Sequence, residues 1–399
     1  MRILWIATKT PWPPVDGGRL LLWNTLEALA GSGCRVDLVA PAAGARLAAA
    51  AEALKHLCRP HLVRRSPALP GPLLWLLARA RGEPLTIVRH RRPAVARRVA
   101  ALLASDAFDA IQVEQLQALA QAPASGRVPV TLRAQNVESD LWRATADAAA
   151  LPQGRLRRPL LRAEARRLAR WEGRAVRRTA ATVALTAEDA RRLAALAGRP
   201  DRVRVVPAPF PDRLPDAGRS LPGEPPVVVL GSAGWPPNRD GLRWLAAAWP
   251  RVRTVLPAAR LHVFGSDLGA AVPAGDASIV VHPPPADSRQ AFAPGSVLVV
   301  PLRVASGVRM KILEAWARGV PVVATPEAAR GLDAEDGRQL LLAATAEQLA
   351  RALERLRREP ALAGALVREG REILRRRHAL PLVAGALMRL WTETLRTER

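Results

Sequence analysis

Tyrosine is absent from the 399 residues, and lysine occurs only at Lys9, Lys55 and Lys311, so the remainder of the 60 basic residues is arginine. With abundant alanine, that skew reads as compositional bias as much as selection for binding. The net charge of +25 therefore attracts nucleotides, anionic lipids and nucleic acid without choosing among them. Only two cysteines, Cys34 and Cys58, are present, which excludes a disulfide framework or a four-ligand zinc site and suits a reducing cytoplasm. No run of about 18 uninterrupted apolar residues exists, so a spanning helix is not expected. Residues 1–7 are apolar but run straight into Thr8-Lys9-Thr10-Pro11-Trp12-Pro13-Pro14, a strand leaving into a loop rather than a signal peptide. The six histidines, His56, His61 and His90 among them, lack metal-ligand spacing.

What the chain holds instead is alternation. At 49% hydrophobic it can bury a large core, and its length fits two domains. Short β-rich runs alternate with amphipathic patterns, which predicts parallel sheets with helices on both faces. In the first half, strands are expected at 2–7, 35–40, 109–114, 128–134, 182–186 and 203–206. Leu22, Leu26 and Leu29 recur at helical spacing before Gly31 and Gly33. Thr186 and Asp189 form a capping-box pattern that opens a further helix. Between 207 and 226 the composition turns to Pro-Ala-Pro-Phe-Pro and Leu-Pro-Gly-Glu-Pro-Pro, which predicts a semi-rigid linker. Strands resume at 227–231, 260–265, 278–281, 296–301 and 320–324, and a helical tail covers 345–394. The expected organisation is two α/β domains, 1–206 and 227–375, with a final helix within 376–399.

The most informative stretch is Val300-Pro301-Leu302-Arg303-Val304-Ala305-Ser306-Gly307-Val308-Arg309-Met310-Lys311-Ile312-Leu313-Glu314-Ala315. A buried strand ends, a small-residue loop follows, and a helix begins near Arg309. Ligands of such sheets bind at the carboxyl ends of strands, where helix N-termini point. Arg309 and Lys311 oppose the macrodipole there, at a cost of roughly 0.3–1 kcal/mol each. An anion in front of the helix reverses that sign, because free N–H groups, dipole and both cations then act together. A bidentate arginine beside a point-charge lysine suits a diphosphate. Glu314, on the same face as Lys311, suits two ribose hydroxyls; the plainer alternative is a Lys–Glu surface pair in the weaker of its two orders. Gly17 and Gly18 follow the first strand and open a helix, where backbone can approach a phosphate or sugar, or simply turn. Glu114 and Asn136 sit at predicted strand ends and are candidates for sugar or acceptor. Their alternatives are a helix-start acid and a turn amide.

With those residues in place, the sequence resembles the GT4 family of retaining glycosyltransferases, in the bacterial branch that assembles polysaccharide and cell-surface sugars. Four segments carry the resemblance: Pro13-Pro14-Val15-Asp16-Gly17-Gly18-Arg19, Ala134-Gln135-Asn136-Val137-Glu138-Ser139, Gly231-Ser232-Ala233-Gly234-Trp235-Pro236-Pro237-Asn238, and the run from Gly307 to Val323. It implies a GT-B fold, two Rossmann-like doubly wound parallel-sheet domains facing a cleft. It also implies transfer from a nucleotide-diphosphate sugar to a glycan or lipid-linked acceptor, with no cofactor. Arg309 and Lys311 would stabilise the leaving diphosphate, Glu314 would bind ribose, and Gly17 and Gly18 would face the phosphates from the opposite domain. Ser232, Asn238, Gly307 and Val308 fall in the matching segments and complete the implied nucleotide-sugar site. The final helix would cross back to the first domain. No metal is expected, and the sequence has no Asp-x-Asp pair. Three positions depart from the family pattern. Ser306 stands where many members carry a glutamate facing the donor sugar, Glu114-Gln115-Leu116 where many carry a histidine, and Ala208-Pro209 in place of Asn-Gly.

The stretch 155–178 holds ten arginines with Leu156, Leu160, Leu161 and Leu168. It predicts a basic amphipathic helix able to lie on an anionic membrane, with 73–79 as an apolar edge, or else a packed helix with a solvated arginine face. The chain is therefore expected in the cytoplasm, peripheral at most to the inner face of the plasma membrane. Two other functions share these features. A sugar-nucleotide epimerase would need acid–base residues that are scarce in the site segments. A nucleic-acid or anionic-surface binder fits the charge, but no helix-turn-helix, zinc-finger or RNP signature is present.

Overall fold

The computed structural model describes residues 1–67, 69–124, 126–148, 158–215, 220–268, 271–273, 275–285 and 287–397. The first lobe is built on β1 (Arg2–Ala7), β2 (Arg35–Ala42), β3 (Arg59–Arg64), β4 (Ala110–Glu114), β5 (Val130–Ala134), β6 (Ala181–Ala184) and β7 (Val203–Val205). They form one parallel sheet in the order β3-β2-β1-β4-β5-β6-β7. Its helices are α1 (Gly17–Ala30), α2 (Leu47–Leu54), α3 (Gly71–Arg81), α4 (Leu85–His90), α5 (Pro93–Ser105), α6 (Glu138–Ala148), α7 (Arg158–Arg178) and α8 (Ala187–Ala197). The second lobe has β8 (Pro226–Leu230), β9 (Arg260–Phe264), β10 (Ile279–His282), β11 (Val297–Val300), β12 (Val322–Ala324) and β13 (Leu341–Leu342), in the order β10-β9-β8-β11-β12-β13. Around them lie α9 (Pro236–Val255), α10 (Met310–Arg318), α11 (Pro326–Ala329), α12 (Ala346–Arg358) and α13 (Pro360–Ile373). The chain ends in α14 (Leu380–Thr397).

The central strands are continuous apolar runs because helices cover both faces of each sheet. Ile3, Leu4, Trp5 and Ile6 of β1 are wholly buried, as are Val227 and Val228 of β8. Two strands were not legible. β3 carries Arg59, Pro60, His61 and Arg64 and lies at the sheet's edge, where a missing N–H and polar side chains are tolerated. β13 is two residues long, too short to show a period.

α14 packs on the first lobe. Trp391 is buried edge-on to Trp5 at 6.1 Å and donates from Nε1 to Gln112 Oε1 at 3.0 Å. The proline-rich connection is held against the second lobe. Phe210, 1% exposed, donates its N–H to the His378 carbonyl at 2.7 Å, and Leu214 donates to Ala317 at 3.1 Å. Burial pushes the His378 imidazole down to about 4. The two sheets point their carboxyl ends at each other, so the loops after β5 and β6 meet the loop between β11 and α10.

Candidate active site

On the second-lobe side, the loop 231–235 leaves β8 and enters α9. Ser232 Oγ accepts from Gly234 N at 3.1 Å and from Ser266 Oγ at 2.7 Å, which ties the ends of β8 and β9 together. Asn238 donates to the Ser232 carbonyl at 3.0 Å and fills the space beneath Gly231. Its amide thus shapes the loop from below. Lys311, in the first turn of α10, donates to the Leu230 carbonyl at 2.5 Å. The ammonium therefore sits at the carboxyl end of β8, beside the loop, with no carboxylate paired to it among the described residues. Burial brings it down to about 8.

Glu314 lies deeper than its expected role suggests, at 5% exposure. Ser288 Oγ and Arg318 Nε (the latter at 2.9 Å) both donate to its Oε1, and the Oε2 oxygen takes no hydrogen bond among the described residues. Arg309 differs from expectation. It is the N-cap residue of α10, and its side chain turns away from Lys311 to donate to the Arg330 carbonyl. The two side chains thus reach different elements, the guanidinium the Arg330 carbonyl and the ammonium the Leu230 carbonyl. Val308, which accepts from Met310 N at 3.1 Å, is packed against the second lobe's core.

On the first-lobe side, Asp16 caps α1 by accepting from Arg19 N at 3.0 Å. Gly17 faces the Met310 side chain across the lobe boundary, and a Cβ on Gly18 would lie 2.9 Å from Gln135 Oε1. Gln115, in a left-handed conformation at φ 69°, donates to Gln135 Oε1 at 2.8 Å and accepts from Thr8. These amides line the approach to α1.

Glu114 does not face the gap. Its carboxylate is 3% exposed and pairs with Arg133 at 2.7 Å, while Trp5 and Gln135 also donate to it. The strand's last residue points into the sheet's neighbours, so Glu114 is a structural counter-ion and not an acceptor ligand. Replacing it with alanine strands the Arg133 guanidinium, and we expect a stability loss of about 3–5 kcal/mol in urea unfolding. A variant as stable as the parent contradicts this assignment.

A clasp joins the lobes where Ser306 and Gly307 meet the ends of β5 and β6. Ser306 Oγ accepts from Val137 N at 2.8 Å and donates to Asp189 Oδ1 at 3.0 Å. Gly307 N donates to Asp189 Oδ2 at 3.0 Å. Asn136, with its amide nitrogen toward the carbonyls, donates to Ser306 O at 2.9 Å. Asn136 therefore bridges the lobes instead of opening toward an acceptor. The sequence marks Asp189 only as a helix cap. Its second role depends on a residue 118 positions away, which no local pattern reveals.

Two family models match the chain: a glycosyl transferase 4-like domain over residues 17–209 and glycosyl transferases group 1 over 224–359. The chain belongs to the GT4-like glycosyltransferases. The transferase has the GT-B fold shared by solved relatives. HepE of Anabaena, in complex with UDP-glucose, is 15% identical with a TM-score of 0.63, covering 100% of both chains. Sucrose-phosphate synthase of Thermosynechococcus elongatus is 17% identical with a TM-score of 0.69, covering 99% of both. A TarM mutant of S. aureus, in complex with Fondaparinux, alpha-GlcNAc-glycerol and UDP, is 9% identical with a TM-score of 0.67, covering 98% of the transferase and 100% of TarM. A comparison with curated proteins returns no match by sequence. Among the described residues, the transferase has no group of three His, Cys, Asp or Glu placed to hold a metal ion, and no helix long and apolar enough to cross a membrane.

Proposed function

We propose that this transferase moves a sugar from a nucleotide-diphosphate donor to a glycan or lipid-linked acceptor in the gap between the lobes, with retention. One observation carries the reading. An ammonium with no carboxylate partner among the described residues stands at the carboxyl end of β8, beside a Ser–Gly loop and the start of α10. As the glycosidic bond breaks, charge builds on the leaving diphosphate. Lys311, the α10 N–H groups and the 232–234 loop are preorganised donors for that charge. The free Oε2 of Glu314 is the acceptor for a ribose hydroxyl. Gly17 and Gly18 supply close backbone from the first lobe. Arg309 acts on this site only through the position of α10.

The HepE and TarM structures contain UDP-glucose and UDP, which makes uridine nucleotides the first donors to test. Incubation with UDP- and GDP-sugars should release nucleoside diphosphate and glycosylate an added acceptor. Conversion of the donor alone into its epimer would favour the epimerase instead.

The acceptor's lipid character has support from one surface. α3 exposes Leu73, Trp75 and Leu76, with the Arg79 guanidinium 4.8 Å from the Trp75 ring centre. Glu164 of α7, close enough for Arg79 to act on it, accepts from Leu85 N, so the basic helix adjoins that apolar edge; Leu160 on it is 62% exposed. Residues 155–157 of the predicted basic helix lie outside the described residues. Sedimentation with anionic-lipid vesicles should be salt-sensitive and fall several-fold in Trp75→Ser/Leu76→Ser. Binding indifferent to lipid charge would remove the membrane from this reading.

A further inference from the structure

Behind the clasp, on the side of β6 and β12, both lobes line a half-open cavity of about 370 Å³. Arg309 lines it, 6% exposed, with its Nε unpartnered. Among the described residues this guanidinium makes one hydrogen bond, to the Arg330 carbonyl, and no ion pair. Asp189 and Glu188 act on it through space, but neither meets it in an ion pair, and a buried charge so placed calls for a closer counter-ion.

The acids around the cavity each accept from other groups, two of them from arginines and Asp189, among the described residues, from neutral donors alone. Asp140 is paired with Arg192 at 3.0 Å, and Glu188 with Arg330 at 3.6 Å. Asp189 accepts from Gly307 N, Ser306 Oγ and Thr186 Oγ1. The lining cations without an ion pair among the described residues are Arg309 from the second lobe and Arg191 from the first. They come from opposite sides of the lobe boundary.

We propose that this cavity is a second anion site, separate from that of Lys311, which takes one phosphate-sized oxyanion between Arg309 and Arg191. Guanidinium groups hold such an ion through charge-assisted, fork-like hydrogen bonds. Because each lobe contributes one arginine, the ion binds the closed arrangement only, and its occupancy shifts the population toward closure. The same chemistry is offered by free inorganic phosphate and by a phosphoryl group carried on the acceptor.

The test is thermal melting of the full chain in inorganic phosphate against chloride at matched ionic strength. Phosphate should give a saturable rise in Tm that survives Lys311→Met, with an apparent Kd weakened about tenfold or more in Arg309→Gln. Arg191→Gln, at an exposed position of α8, should weaken it too and guards against misfolding of the buried variant. A hexose 6-phosphate that binds more tightly than phosphate, with the free hexose inert, assigns the group to the acceptor. A hexose phosphate that binds no better assigns it to free phosphate. The site is refuted if phosphate does no more than chloride, or if both arginine variants bind it like the parent. Loss of the effect in Lys311→Met alone would place the ion in the donor site and equally refute the proposal.

Discussion

Lys311→Met should lower kcat/KM for the sugar donor by about 10²–10³-fold, the usual cost of removing one preorganised donor to developing charge. Methionine keeps the length of the side chain and removes a partly buried ammonium, so the fold should hold and the melting temperature should not fall. The pH profile supplies a second reading of the same group. Burial disfavours the charged amine and brings its pKa down to about 8, so it is charged below that pH and neutral above it. Since kcat/KM reports the free enzyme, its value should decline as pH rises through about 8. Lys311→Arg, whose guanidinium stays protonated, should lose that alkaline limb even if its rate is lower. A limb that persists unchanged in the arginine variant assigns the titration elsewhere.

Gly307→Ala should reduce kcat by about 100-fold while leaving nucleotide affinity within a few-fold of the parent. Gly307 has φ 72°, and a Cβ there would sit 2.2 Å from the Gln135 carbonyl and 2.5 Å from the Asn136 side-chain amide. Neither a left-handed alanine nor that overlap can be relieved by a rotamer change, because the obstacle is backbone of the other lobe. The lobes must part, and acceptor-side residues then lose register with the donor. Donor contacts from Lys311, Ser232 and Glu314 all lie on one lobe and survive, and only the backbone approach of Gly17 and Gly18 is lost. Small-angle scattering should show a larger radius of gyration than the parent's. Parental kcat in this variant would mean that the clasp is not part of the reacting state.

Much of this was legible in advance. Burial on both faces makes parallel strands read as apolar runs, so both sheets were placed to within a few residues, with β3 and β13 as the exceptions. The parallel α/β architecture and the lysine at the helix start also follow from local pattern, and the GT-B arrangement from the family resemblance. The departures from expectation share one cause. Glu114, Arg309 and Asn136 sit at the expected chain positions, but their side-chain directions are set by partners far away in sequence: Arg133, Arg330 and Ser306. Periodicity and capping rules say which residue ends a strand or opens a helix. They carry no information on which neighbour its side chain meets.

The most direct test is calorimetric titration of nucleoside diphosphates into the parent and Lys311→Met. The parent should bind at least one of them, UDP first, with saturable heat, and the variant should bind it about tenfold or more weakly. If no nucleoside diphosphate binds, or the variant binds as tightly as the parent, the ammonium at the end of β8 is not a diphosphate ligand.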